Sequence, residues 1–166
     1  MSIMFSPSDL FDIAIQIERN GAAFYRKAAQ QFAEPAVREE LLDLALMEEE
    51  HEATFELLKE RLLGVAPGAS DLFESDTEAV AYLESFTQGR IFDMSKDTGP
   101  AAGQTLTLID VLRQAIEKER DSVMFYLGMK NLIPASEGAD KIDSIIKQEM
   151  SHIGILQRRL IEASQL

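Results

Sequence analysis

Two stretches decide how this chain is read: ERNGAAFY at residues 18–25 with EEEH at 48–51, and ERDSVMFY at 119–126 with EMSH at 149–152. Every member of the first pair returns 101 residues later: Glu18 as Glu119, Arg19 as Arg120, Phe24 as Phe125, Tyr25 as Tyr126, Glu48 as Glu149 and His51 as His152. The two frames use the whole histidine supply of the chain. One Glu-x-x-His arises readily by chance in an acidic protein, but two in register with matching upstream glutamates do not. Glu18, Glu48, His51, Glu119, Glu149 and His152 are therefore read as six candidate ligands for two metal ions.

The periodicity around these residues is helical. Phe11, Ala14, Glu18, Ala22, Tyr25, Ala29 and Phe32 step by three or four along one stripe, as do Val37, Leu41, Leu44, Glu48, His51, Phe55, Leu58 and Leu62. Leu108, Leu112, Ala115, Glu119, Ser122, Tyr126 and Met129 form a third stripe, and Ile142, Ile145, Glu149, His152 and Leu156 a fourth. These predict helices over about 7–32, 35–63, 107–132 and 136–164. Ser6 with Pro7 opens the first, Glu34-Pro35 separates it from the second, Gly64 and then Ala66-Pro67-Gly68 stop the second, and Thr107 with Asp110 resembles a capping box for the third. Residues 64–106 are too long for a simple connection. They are expected to carry a short helix near 76–88 and a polar loop at 95–103, and to return the chain along the bundle so that the second and third helices run parallel. The expected fold is an all-α, antiparallel four-helix bundle with a long crossover, in a single domain over 1–166.

The hairpin arithmetic sets the height of the candidate ligands. Glu18 and Glu48 are 30 residues apart about a midpoint at Ala33, and Glu119 and Glu149 are 30 apart about Pro134. Equal counts from each turn bring all four carboxylates to one level, about 20 Å from the turns at 1.5 Å per residue. Burying four carboxylates together without neutralisation would cost several kcal/mol each or force most to hold protons. Two divalent cations balance them, and Ala14, Ala22, Ala115 and Ser122 leave room. Residues three apart on a helix face the same way, so each Glu-x-x-His can aim both side chains at one cluster. An oxygen-rich set with one imidazole per metal suits iron or manganese, with zinc also possible. Glu18 and Glu119 are expected as terminal ligands, Glu48 and Glu149 as bridges, and His51 and His152 on one metal each. Tyr25 and Tyr126, two turns beyond a ligand glutamate, are candidate catalytic residues whose hydroxyls could hold a carboxylate or supply an electron; core packing is the competing reading. Glu49, Glu50, Glu52 and Glu56 are expected in solvent, and Met47, Met124 and Met150 as core filler.

Composition narrows the classes further. With no cysteine the chain has no disulfide, thiolate zinc site or iron–sulfur cluster of its own, so an electron donor must be a separate protein. A net charge of −13 disfavours nucleic acid and anionic membranes as partners. The absence of a basic, apolar leader or a long apolar run reads as cytoplasmic.

On Glu18, Glu48-x-x-His51, Glu119, Glu149-x-x-His152, Tyr25 and Tyr126, the chain resembles the ferritin-like di-iron carboxylate superfamily, and within it the rubrerythrins in their short form without a rubredoxin domain. The resemblance spans the four long helices. It implies two iron ions, reduction of hydrogen peroxide or dioxygen with electrons from an external donor, a role in oxidative stress, and a homo-oligomer, dimer or larger. Ser122 stands where rubrerythrins tend to carry an additional glutamate, which brings the six-ligand set nearer to bacterioferritin. Ferrous-iron oxidation with storage or delivery is the alternative function, and a purely structural site a third.

Overall fold

The structure, a computed structural model, describes residues 7–64, 77–86, 105–133 and 138–165. Among these, five helices and no strand occur: α1 Pro7–Ala29, α2 Pro35–Gly64, α3 Thr77–Phe86, α4 Leu108–Lys130 and α5 Ala139–Ala163. Proline at the first position of α1 and α2 costs nothing, since the N–H it lacks would have no helical partner. α4 starts at Thr107, whose side chain accepts from the Asp110 N–H while Asp110 accepts from the Thr107 N–H; this is the expected capping box. α1 stops at Ala29, three residues short of the expected end, because the chain tightens there into a turn with Gln31 N–H donating to Ala28 C=O. α5 begins at Ala139 after Gly138, whose φ of 126° only glycine adopts easily. The Ser6 cap, the Ala66-Pro67-Gly68 turn, the 95–103 loop and the ends of the crossover helix at 76 and 87–88 lie outside the described residues, as do 136–137.

Cross-helix pairs fix the directions. Asp12 meets Lys59 and Arg26 meets Glu49, so α1 and α2 are antiparallel. Lys130 meets Asp143 while Glu119 lies near His152, so α4 and α5 are antiparallel too. Tyr25 reaches Glu119 and Tyr126 reaches Glu18, which makes α1 antiparallel to α4 and hence α2 parallel to α4. That relation needs the long crossover. Its helix α3 lies on α4, with Tyr82 Oη donating to Met124 C=O at 3.0 Å. Gly128 permits the approach, since a Cβ there would stand 2.8 Å from the Tyr82 ring and 2.9 Å from Leu83.

Every residue of the four predicted stripes is buried except Phe32 and Leu108, which are partly so. They make two apolar clusters. One gathers Phe11, Phe55, Leu58, Tyr126, Met129 and Ile142; the other gathers Tyr25, Val37, Leu41, Leu44, Leu112 and Leu156. The ionisable layer lies between them. Met124 and Met150 are exposed rather than core filler, because they project from faces away from the stripes; Met47 is partly buried. Of the glutamates expected in solvent, Glu52 is largely covered by its pairing with Arg19. No described helix is long and apolar enough to cross a membrane.

Candidate metal centre

Each helix of the two hairpins sends at least one carboxylate into the gap between the apolar clusters. Glu18, Glu48, Glu119 and Glu149 are at most 3 % exposed, and so are His51 and His152. They fall into two groups of four, Glu18, Glu48, His51 and Glu149, and Glu48, Glu119, Glu149 and His152, each with one ligand atom per residue within 4.8 Å of the others. Glu48 and Glu149 belong to both groups. The structure thus brings all six predicted ligands together, with the two expected bridges at the shared positions.

Contacts inside the layer follow the repeat. His51 Nδ1 lies 2.9 Å from Glu149 and 3.5 Å from Glu18; His152 Nδ1 lies 3.0 Å from Glu149 and 3.6 Å from both Glu48 and Glu119. The two imidazoles stack with centroids 5.8 Å apart. Tyr126 Oη donates to Glu18 at 2.5 Å, and Tyr25 Oη donates to Glu119. Each tyrosine therefore holds the unshared glutamate of the opposite hairpin. His51 Nε2–H donates to Gln148 Oε1 at 2.6 Å, leaving Nδ1 turned to the carboxylates.

Without a metal, burial and mutual repulsion favour the protonated form of most carboxyls in the layer. Burial pushes the Glu48 carboxyl well above the usual range, and the charges of Glu119, Glu149 and Glu18 add to this. Glu119 is raised by burial and then by Glu149; Glu18 is raised by burial and Glu149 against the opposing contact with His51. Glu149 goes the other way, since its contacts with Glu119, His152 and His51 outweigh burial and lower it. Burial also disfavours charged imidazole, yet Glu149 and Glu18 hold His51 up to about 11, and Glu119 and Glu149 hold His152 up to about 9. Both tyrosines are pushed well above 10, by burial first and then by the carboxylate beside each, so they act as hydrogen-bond donors.

The donor set fits divalent cations. Glu18 Oε2, Glu48 Oε1, His51 Nδ1 and Glu149 Oε1 are buried without a well-aligned hydrogen bond, although His51 Nδ1 and Glu149 Oε1 stand 2.9 Å apart, and all four belong to the first group. Leaving one buried polar atom unpaired costs about 1–3 kcal/mol, so four in one place mark a common missing partner. A cation accepts oxygen and imidazole lone pairs at once, which no single side chain does.

Two features escape sequence reasoning. Gly21 sits in mid-helix with φ in the ordinary range, and a Cβ there would stand 2.5 Å from Glu48 Oε2; a helix-weakening glycine one turn after a ligand was the available signal. Beside it a cavity of about 20 Å³ is lined by Gly21, Asn20, Tyr25, Glu48, Lys118, Glu119, Ser122 and Ile17, about enough for one water-sized molecule. The second feature is Gln148, whose repeat partner is Met47, so the duplication does not single it out.

No protein-family model matches the chain, and no curated protein matches it. Among solved structures it is similar to a chain from Thermotoga maritima described as a ferritin-like diiron-carboxylate protein, at 24 % identity over 96 % of this chain and 97 % of that one, with a TM-score of 0.66. That likeness extends over nearly the whole chain, and it gives this chain the ferritin-like fold.

Proposed function

We propose that this chain is a di-iron oxidoreductase of rubrerythrin type, reducing hydrogen peroxide or dioxygen with electrons from a separate donor protein. The observation that carries the reading is the pair of four-residue groups sharing Glu48 and Glu149, buried and with unpartnered atoms facing one another. The diiron-carboxylate description of the Thermotoga maritima protein, which has the same fold, agrees with it. Iron held there would supply redox equivalents and Lewis acidity, and manganese or zinc suit the same donors.

The residues of the chain do the rest. Glu18 and Glu119 are held in place by Tyr126 and Tyr25, so neither terminal carboxylate swings freely. Buried between apolar clusters, the layer excludes bulk water, and electrostatic interactions within it are strong. The cavity beside Gly21, next to Glu48 and Glu119, is of water-like size, which is in keeping with a small oxidant such as peroxide or dioxygen. Peroxide reduction consumes two electrons and two protons and yields two waters. The electrons come from the donor protein, with Tyr25 or Tyr126 as a candidate relay.

Stopped-flow absorbance of the ferrous-loaded protein, mixed separately with peroxide and dioxygen, tests the reading. Faster oxidation by peroxide, with repeated turnover when a donor is supplied, is the expected result; no oxidation by either would refute it. The net charge of −13 favours a second reading in which ferrous ions are themselves the substrate, drawn in, oxidised and stored. Sedimentation separates the two: storage needs a hollow shell of many subunits, whereas a dimer fits the peroxidase.

A further inference from the structure

The repeat that builds the centre is broken at one position that touches it. His51 Nε2–H donates to Gln148 Oε1 at 2.6 Å. Displacement by 101 residues maps His51 onto His152 and Gln148 onto Met47, and Met47 packs with the apolar cluster that holds Leu156. A thioether is a weak acceptor, so the repeat supplies no amide oxygen at the position equivalent to Gln148. Contacts of His152 with carboxylates all fall on its Nδ1.

An acceptor on the far nitrogen has two consequences for a ligating imidazole. It holds the ring with Nδ1 turned to the carboxylates, the nitrogen that would bind once its proton is displaced, and it raises the basicity of that nitrogen. His51 has both advantages. Both Nδ1 atoms face Glu149, at 2.9 Å for His51 and 3.0 Å for His152, so the difference between the two rings lies on the far nitrogen. The first group is therefore better prepared to receive a cation than the second.

We infer that Gln148 is a positioning residue that makes the two metal subsites unequal: the ion held by Glu18, Glu48, His51 and Glu149 binds first and tightly, and the ion held by Glu48, Glu119, Glu149 and His152 second. The inference rests on the di-metal reading above and adds an order of loading to it. Partners of ligating histidines typically change metal affinity by about 10–100-fold, which sets the expected gap between the two steps.

The test is calorimetric titration of the full, chelator-stripped chain with cobalt(II), which binds ferrous sites without oxygen chemistry. Wild type should show two resolved steps about 10–100-fold apart. Gln148→Met should weaken the tight step until it merges with the weak one, Gln148→Glu should restore the separation, and His152→Ala should spare the tight step. Gln148 is exposed, so these variants keep the core intact. A residue important only for folding would lower the melting temperature and leave the ratio of the two constants alone. An unchanged ratio in Gln148→Met, or two equal steps in wild type, overturns the inference while the di-metal reading survives. Uptake of fewer than two ions by wild type overturns both.

Discussion

Replacing Gly21 with alanine should move metal affinity and metal-free stability in opposite directions. The added Cβ would stand 2.5 Å from Glu48 Oε2, 3.2 Å from its Cδ and 3.4 Å from its Cγ. To reach ordinary contact the carboxylate must retreat by about 0.9 Å, which the end of a flexible side chain can do at little cost. Without metal, that retreat competes with the better helix propensity of alanine, worth about 1 kcal/mol in mid-helix. The metal-free variant should thus melt at the wild-type temperature or about 2–4 °C above it. With metal the balance reverses, since ligand distances tolerate only about 0.2 Å and Glu48 is shared by both groups. A bridge displaced by several times that tolerance should weaken two-ion uptake by at least about 10–100-fold. Paired measurements decide the matter: thermal unfolding with chelator and calorimetric titration with cobalt(II). Ser122→Ala is the control, because Ser122 occupies the equivalent place in the repeat and its hydroxyl only donates back to Lys118 C=O at 3.1 Å; it should change neither quantity appreciably. Unchanged two-ion affinity in Gly21→Ala would refute the assignment of Glu48 as a bridge. A metal-free variant melting many degrees lower would show that Glu48 belongs to a packed polar network and not to a metal site.

Removing either shared carboxylate, by Glu48→Gln or Glu149→Gln, should abolish two-ion occupancy, measured as metal per chain by elemental analysis; retention of two irons counts against the assignment. Tyr126→Phe strips the donor from buried Glu18 and should cost about 1–3 kcal/mol, seen as a lower melting temperature of the metal-free protein. Tyr25→Phe does the same to Glu119. The pH dependence of the metal-free protein follows from the raised groups. The imidazoles, at 6.5 when unfolded and about 9 and 11 when folded, give stability that is fully present below 6.5 and lost as pH rises through those values. Glu18, Glu48 and Glu119 act in the same sense, since the folded chain keeps protons that the unfolded chain gives up above 4.5. Chelator-treated protein should therefore melt lower at about pH 9 than at about pH 6.5, and saturating manganese(II) should flatten the trend because bound ligands are already deprotonated. A metal-free melting temperature that rises over that interval would contradict the charge pattern.

The fold and the six-residue cluster were legible because duplication supplied a second measurement of every distance along the chain. A single Glu-x-x-His gives only a helix face. Two hairpins with 30 residues between their glutamates also give the height at which those faces meet, and backbone rise per residue is nearly constant in helices. Burial of the predicted stripes follows from the same regularity. What stayed hidden depends on relations between helices that spacing does not encode. Tyr25 and Tyr126 lie on the stripes of Glu18 and Glu119, yet each bonds the glutamate of the other hairpin, because antiparallel packing of α1 against α4 places residue 25 beside 119 and 18 beside 126. The early stop of α1 reflects a turn geometry that its apolar pattern, continuing to Phe32, did not reveal. Met124 and Met150 show the opposite limit, since apolar character alone placed them inside although their helical angle points them outward. Gly21 and Gln148 are the informative cases. Symmetry makes the site recognisable, but it is where symmetry fails, glycine against Ser122 and glutamine against Met47, that the chain adapts two like halves to unlike tasks: one opening a space beside Glu48, the other fixing the ring of His51.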